Sequence, residues 1–206
     1  MRSDETKRVE AMVERLDESM RVFCALELPD EVRAAAAEHG ARLRRDFPNV
    51  KASWPRPESL HITLKFLGEI EAPRVERLSH AAAVAATEFA PVELSIETAG
   101  AFPPRGAARV LWLGIRDETG QLARLQHRLE AECAAAGFPS EPRPFKPHLT
   151  IARLRASNDA HAISEAHRLT PFGPHTFNVS ELLVMRSELG PGGSRYTPLS
   201  RLELRL

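Results

Sequence analysis

This chain of 206 residues has two cysteines, one tyrosine, no excess of charge of either sign and no long apolar run. Each shortage excludes something. Cys24 and Cys133 sit in apolar patterns with no C-x-x-C spacing, which reads as buried thiols in a reducing compartment rather than a disulfide or a metal site. With 28 basic and 28 acidic residues the net charge is zero. That excludes a broad nucleic-acid-coating surface, though a local cationic pocket for one phosphate remains compatible. No stretch reaches membrane-spanning length and the N-terminus carries no apolar signal core, so a cytoplasmic protein with no membrane partner is expected. Neither a Gly-rich phosphate loop nor a dinucleotide fingerprint occurs. No low-complexity linker interrupts the chain, so one domain or two small lobes packed together should form.

What the chain does have is a repeated short pattern. Leu60–Gly68 reads LHITLKFLG and Pro147–Leu154 reads PHLTIARL. Both run His, apolar, Thr, apolar, two residues, with a proline just upstream (Pro57, Pro147). One His-x-Thr triplet is within chance; two copies sharing their apolar positions, 87 residues apart, read as an internal repeat of two half-size units. On a strand, side chains two apart share a face. His61 stands beside Thr63 and His148 beside Thr150, while Ile62, Leu64, Phe66, Leu149 and Ile151 are expected in a core.

Around these segments the pattern alternates between strands and helices. Residues 1–19 are highly charged, with Val9, Met12, Val13 and Leu16 spaced as one helical stripe. Met20–Leu28 reads as a strand and Asp30 to about Phe47 as a helix. Lys51–Trp54 is short and extended, and Leu60–Leu67 is the first His strand. Pro73 to about Phe89 is helical, Val92–Ala99 a strand, Gly100–Gly106 a loop and Ala108–Ile115 an apolar strand. Glu118–Gly137 is the clearest helix, with Leu122, Leu125, Leu129 and Cys133 on one stripe. His148–Arg155 is the second His strand, Asp159–Leu169 a shorter helix. Phe177–Glu188 and Tyr196–Leu206 read as strands of a hairpin turning at 190–194. Several connections are too short for parallel crossovers, which favours α+β with largely antiparallel sheets.

Two histidines facing each other across a cleft suit in-line displacement at phosphorus. One imidazole takes a proton from the nucleophile while the opposite imidazolium protonates the departing oxygen. A threonine hydroxyl beside each can donate to the non-bridging oxygens, where negative charge must be held. Lys65 shares strand parity with His61 and Thr63 and would add positive charge. Arg153, three residues past Thr150, lies on the other face unless the strand bulges. His-x-Thr lacks the second close ligand and the carboxylate of common zinc motifs, so no metal is expected. Trp54 and Phe102, in loops near this site, fit base stacking and packing alike; Tyr196 could also stack, and Trp112 reads as core. The other histidines (His39, His80, His127, His161, His167, His175) read as solvated.

These motifs carry a resemblance. MRVFCALELP at 20–29, W-x-x-P-x-x-LHITLKFLG at 54–68, AFPPRGAARVLWLGI at 101–115, F-x-PHLTIAR at 145–153 and RSEL…Y at 186–196 resemble the 2H phosphoesterases. Within that superfamily the bacterial RNA 2′,3′-cyclic phosphodiesterases, also called 2′-5′ RNA ligases, are most similar. The likeness starts at Met20, leaving 1–19 as an extension and 20–206 as one catalytic domain. The resemblance implies a bilobal α+β fold with a pseudo-two-fold axis, two largely antiparallel sheets flanked by helices, and a central cleft. It implies hydrolysis of an RNA-terminal 2′,3′-cyclic phosphate to a 2′-phosphate without cofactor or metal, and 2′-5′ RNA ligation as the same chemistry run backwards. His61 would be the proton donor to the leaving 3′-oxygen and His148 the acceptor; Thr63, Thr150 and Arg153 would hold the phosphate. The partner would be an RNA 3′ end, and a monomer is expected. A non-catalytic RNA-end or nucleotide-binding module, and a phosphodiesterase for another small cyclic phosphate such as ADP-ribose 1″,2″-cyclic phosphate, stay open.

Overall fold

The computed structural model describes residues 19–155, 159–190 and 193–206. In chain order its elements are β1 (Ser19–Glu27), α1 (Asp30–Asp46), β2 (Ala52–Ser53), β3 (His61–Glu71), α2 (Ala72–Ala86), β4 (Val92–Phe102), β5 (Val110–Arg116), α3 (Gln121–Ala135), β6 (His148–Leu154), α4 (Asp159–Leu169), β7 (His175–Val179), β8 (Glu181–Gly190) and β9 (Gly193–Glu203). The helical stripe read at 9–16 and residues 191–192 of the 190–194 turn lie outside the described residues.

Local chemistry explains the punctuation. Pro29 stops β1, and Asp30 and Glu31 in the first turn of α1, with Arg44 and Arg45 in its last, complement the helix dipole. The Asp117 carboxylate accepts from the Leu122 amide at 2.8 Å at the start of α3. Gly137, at φ +81°, ends that helix: the Phe138 amide reaches back to the Cys133 carbonyl and the Gly137 amide to that of Ala134, both at 2.9 Å. Leu122, Leu125, Leu129 and Cys133 form its buried stripe, as the spacing predicts.

The strands pair in the order β7-β4-β5-β6-β3-β1-β8-β9, with β2 added to β6, and every pairing is antiparallel. The two sheets expected from the resemblance are therefore continuous, joined between β3 and β6 at the pair Ile62 and Leu149. The segment read as one strand, Phe177–Glu188, is broken at Ser180. β7 pairs with β4 and β8 with β1, far apart in the strand order though adjacent in sequence. A single connecting residue can join them only because the sheet curls round on itself. Each half also lends a helix to the other: α1 packs on β6 and α4, and α3 on β3 and α2. No helix among the described residues is long and apolar enough to cross a membrane.

Two histidines expected in solvent are buried instead. His39 on α1 is 6% exposed and His167 on α4 is 0% exposed. His167 Nε2 donates to the Trp112 carbonyl at 3.0 Å, so its Nδ1 accepts from His39 Nε2, also at 3.0 Å. The pair satisfies polar atoms where the two helices meet, 128 residues apart in sequence.

Within the two motifs strand parity fails at the same place in each copy. Along β1 and β3, Ala25 pairs with Thr63 but Cys24 with Lys65, leaving Leu64 as an extra residue. Along β5 and β6, Trp112 pairs with Thr150 but Leu111 with Ala152, leaving Ile151 extra. These are β-bulges at the same position of each repeat, and a bulge reverses which face the following residues occupy. Phe66, expected in the core, is 54% exposed, and its counterpart Arg153 is turned outward as well. Lys65, expected beside His61 and Thr63, is turned inward. Its side chain is 1% exposed, and its ammonium donates to Glu130 Oε2 at 2.6 Å and to the Pro139 carbonyl at 2.8 Å. It thus holds β3 to α3 and to the loop leading into β6.

Removing one partner of a buried ion pair strands the other charge. Lys65→Met is expected to cost about 3–5 kcal/mol in urea unfolding, and Lys65→Met with Glu130→Met considerably less. A Lys65→Met protein as stable as the wild type would return this lysine to the cleft.

Candidate active site

Because β3 and β6 run antiparallel about Ile62 and Leu149, His61 lies across from Thr150 and Thr63 across from His148. The histidines occupy one diagonal of this four-residue square and the threonines the other, with diagonal neighbours roughly 7–8 Å apart. All four side chains line one cleft of about 520 Å³, together with Phe66 and Arg153, which the two bulges deliver to this face. β1 adds Arg21 and Phe23, and β9 adds Tyr196.

Each imidazole is held in the same way. His61 Nδ1 donates to the Ser59 carbonyl at 2.8 Å and His148 Nδ1 to the Lys146 carbonyl at 2.7 Å. A carbonyl only accepts, so Nδ1 carries the proton and Nε2 is the nitrogen left to exchange one. The upstream prolines shape these holders. Pro57 opens the turn whose last residue is Ser59, and Pro147 restricts Lys146 to extended backbone. Aromatic rings close in on both histidines. Phe23 lies 4.7 Å from His61 and Tyr196 stands edge-on at 5.0 Å, while Phe102 stands edge-on to His148 at 5.1 Å.

Burial in these walls is the main force on both titrations. It pushes the His61 imidazole down to about 4, helped by the charges of Arg153 and His148 and opposed by the Ser59 hydrogen bond. His148 is lowered by burial and by Arg153, against the Lys146 hydrogen bond. Both are neutral in the free protein near neutral pH. The 520 Å³ cleft has Arg21 and Arg153 and no carboxylate among its described lining residues. Arg153 forms no ion pair with a carboxylate among the described residues. A small anion is the ligand this charge pattern suits.

The other sequence candidates divide. Phe102 is at the site, as the final residue of β4 rather than in a loop. Trp54 is not. It packs on α1, where it lines a separate hollow of about 250 Å³ with Gly40 and Arg44. Lys65 gives its ammonium to Glu130. The sequence pattern does not point to Phe66 or Arg21, Phe66 because strict alternation assigns it to the core. Trp112, read as core, is half-buried, with its indole across Gly100 and 6.5 Å from His148.

Residues 28–191 match the profile of the 2′-5′ RNA ligase superfamily. The chain is 33% identical over 191 residues to an RNA 2′,3′-cyclic phosphodiesterase of Escherichia coli K12, covering 92% of this chain and 99% of that protein. It is 32% identical over 189 residues to one of Methanothermobacter thermautotrophicus, covering 90% and 99%. The crystal structure of E. coli LigT complexed with 3′-AMP superposes with a TM-score of 0.72 at 33% identity, over 91% of this chain and 99% of that one.

Since Arg153 lowers both imidazoles, Arg153→Gln should move the NMR titrations of His61 and His148 upward, and phosphate added to the wild type should do the same. Either histidine titrating at or above the ordinary value of about 6.5 in the free protein would contradict this electrostatic picture.

Proposed function

This chain belongs to the 2′-5′ RNA ligase superfamily, and we propose that it is an RNA 2′,3′-cyclic phosphodiesterase whose two histidines do the proton transfers without a metal. The observation that supports this reading is the diagonal pair: two imidazoles from repeated strands, each with Nδ1 tied to a carbonyl and Nε2 free, flanking Thr63, Thr150 and Arg153.

The cyclic phosphate sits among the threonine hydroxyls and the Arg153 guanidinium, which hold the charge of its non-bridging oxygens as the transition state forms. His148 Nε2 takes a proton from the attacking water. The bond from phosphorus to the ribose 3′-oxygen breaks on the opposite side, and His61 gives that oxygen a proton, leaving a 2′-phosphate. The unequal burial of the histidines fits this division. Burial pushes the His61 imidazole down to about 4, so once protonated it gives up its proton readily, as the donor must. The productive state, with His61 charged and His148 neutral, is sparse in the free enzyme, and the bound anion raises both imidazoles toward it.

His61→Ala and His148→Ala should each lower kcat/KM by about 10²–10⁴-fold, while activity in EDTA stays at the wild-type level. Because kcat/KM reports the free enzyme, its maximum should fall on the acid side of pH about 6.5, where one proton is shared by the pair, and decline above that as the proton is lost. Either alanine variant within tenfold of wild type, or a kcat/KM maximum above pH 7, would overturn the two-histidine assignment.

A further inference from the structure

The face of the sheet that carries His148 continues onto β5 and β4. Gly114 lies directly across from His148, Trp112 across from Thr150, and Gly100 across from Trp112. His148 therefore has no side chain directly beside it on β5. Its neighbours on that side are rings. Phe102 stands edge-on at 5.1 Å, and the Trp112 indole lies on the diagonal at 6.5 Å. Phe102 in turn leans on Trp112, with ring centres 5.2 Å apart and planes tilted by 34°.

The seat of that indole works against stability. A methyl group at Gly100 would fall on Cε2, Cζ2 and Cη2 of the ring, and one at Gly114 would fall on Thr98 Oγ1 and stand 3.3 Å from the indole Cζ3. Glycine inside a strand weakens it, and this seat takes one from each of two adjacent strands. The indole N–H is also buried with no hydrogen-bond partner among the described residues, a cost that a leucine or phenylalanine there would not carry. The backbone beneath is nevertheless pinned, since the Trp112 carbonyl accepts from His167 Nε2 at 3.0 Å. Departures of this kind from the rules of stability concentrate where function needs them. What this one backs is the ring wall of His148.

That wall supplies what the Lys146 hydrogen bond leaves open. One bond at Nδ1 fixes the tautomer but lets the imidazole swing about it, and the edge-on Phe102 ring blocks the swing. His61 has a separate wall, Phe23 and Tyr196. Trp112 itself is not among the described residues that line the 520 Å³ cleft, so it acts through its neighbours. We propose that Trp112 is a positioning residue for the general base: seated on Gly100, it holds Phe102 against His148 and keeps Nε2 aimed at the attacking water. The inference rests on the cyclic phosphodiesterase reading and adds to it the residue that sets the orientation of the base.

Two variants test it, Trp112→Leu, which removes the indole, and Gly100→Ala, whose methyl group displaces it. Without the wall Phe102 relaxes and water reaches His148. The His148 NMR titration should then move up toward the ordinary value of about 6.5, while that of His61 stays in place. The charged groups that face His148 are Arg153 on its own strand, His61 on β3, Arg21 on β1, and Glu141, Arg143 and Lys146 in the loop before it. Neither variant alters them, so the shift reports desolvation. For a short RNA ending in a 2′,3′-cyclic phosphate, kcat should fall about ten- to a hundredfold in both variants. KM should stay within about twofold of wild type, because Thr63, Thr150 and Arg153 still hold the phosphate. The titration and KM do not depend on how much of each variant is folded. A His148 titration that neither variant moves, one that moves together with that of His61, or a loss that falls on KM overturns the positioning role and leaves the phosphodiesterase standing. A wild-type enzyme that opens no cyclic phosphate overturns the reading beneath it, and the titration still decides whether Trp112 governs His148.

Discussion

The site depends on a single contact between the two halves of the sheet, the antiparallel pair Ile62 and Leu149. Both side chains are fully buried, so the junction is anchored in the core that the helices cover. Moving the register by one residue there would turn each histidine toward the core and bring Ile62 and Leu149 into the cleft. The pairing decides which residues face one another, and from it follow the diagonal of imidazoles, the diagonal of hydroxyls and the space between them. The exchanged helices α1 and α3, together with the Lys65–Glu130 tie, keep that junction from sliding.

The second constraint is the bulge that each repeat carries four residues into its motif. It places one more side chain over the cleft from each half, and the two halves place different ones there, Phe66 and Arg153. A symmetric frame thereby becomes an asymmetric site. Arg153 puts positive charge near both imidazoles, while the rings of Phe23 and Tyr196 bury His61 more deeply than Phe102 buries His148. Acid and base are distinguished by these neighbours, since the motifs that present them are alike.

Much of this was legible in the sequence because it rests on short-range pattern. The His-x-Thr repeat, the strand alternation and the stripe of α3 all come from periods of two and 3.6 residues. The bulges were harder to read, yet the second copy held the signal. Strict alternation there would bury Arg153 and set Ala152 over the cleft, and burying an unpaired guanidinium is costly. A bulge at Ile151 resolves the conflict, and the repeat carries it to Leu64, which turns Lys65 inward and Phe66 outward. The break at Ser180 carries no glycine or proline to mark it, and the His39–His167 bond joins residues whose neighbourhood exists only once both halves have packed. Closeness in sequence puts Trp54 near the site, whereas its ring packs on α1.

The most direct test of the two-histidine cleft as a cyclic phosphodiesterase is ³¹P NMR of a short RNA ending in a 2′,3′-cyclic phosphate, incubated with the purified protein in EDTA. The account requires the cyclic signal to be replaced by that of a 2′-phosphate. A 3′-phosphate would reverse the parts of His61 and His148, and a cyclic signal that persists would contradict the account at its centre.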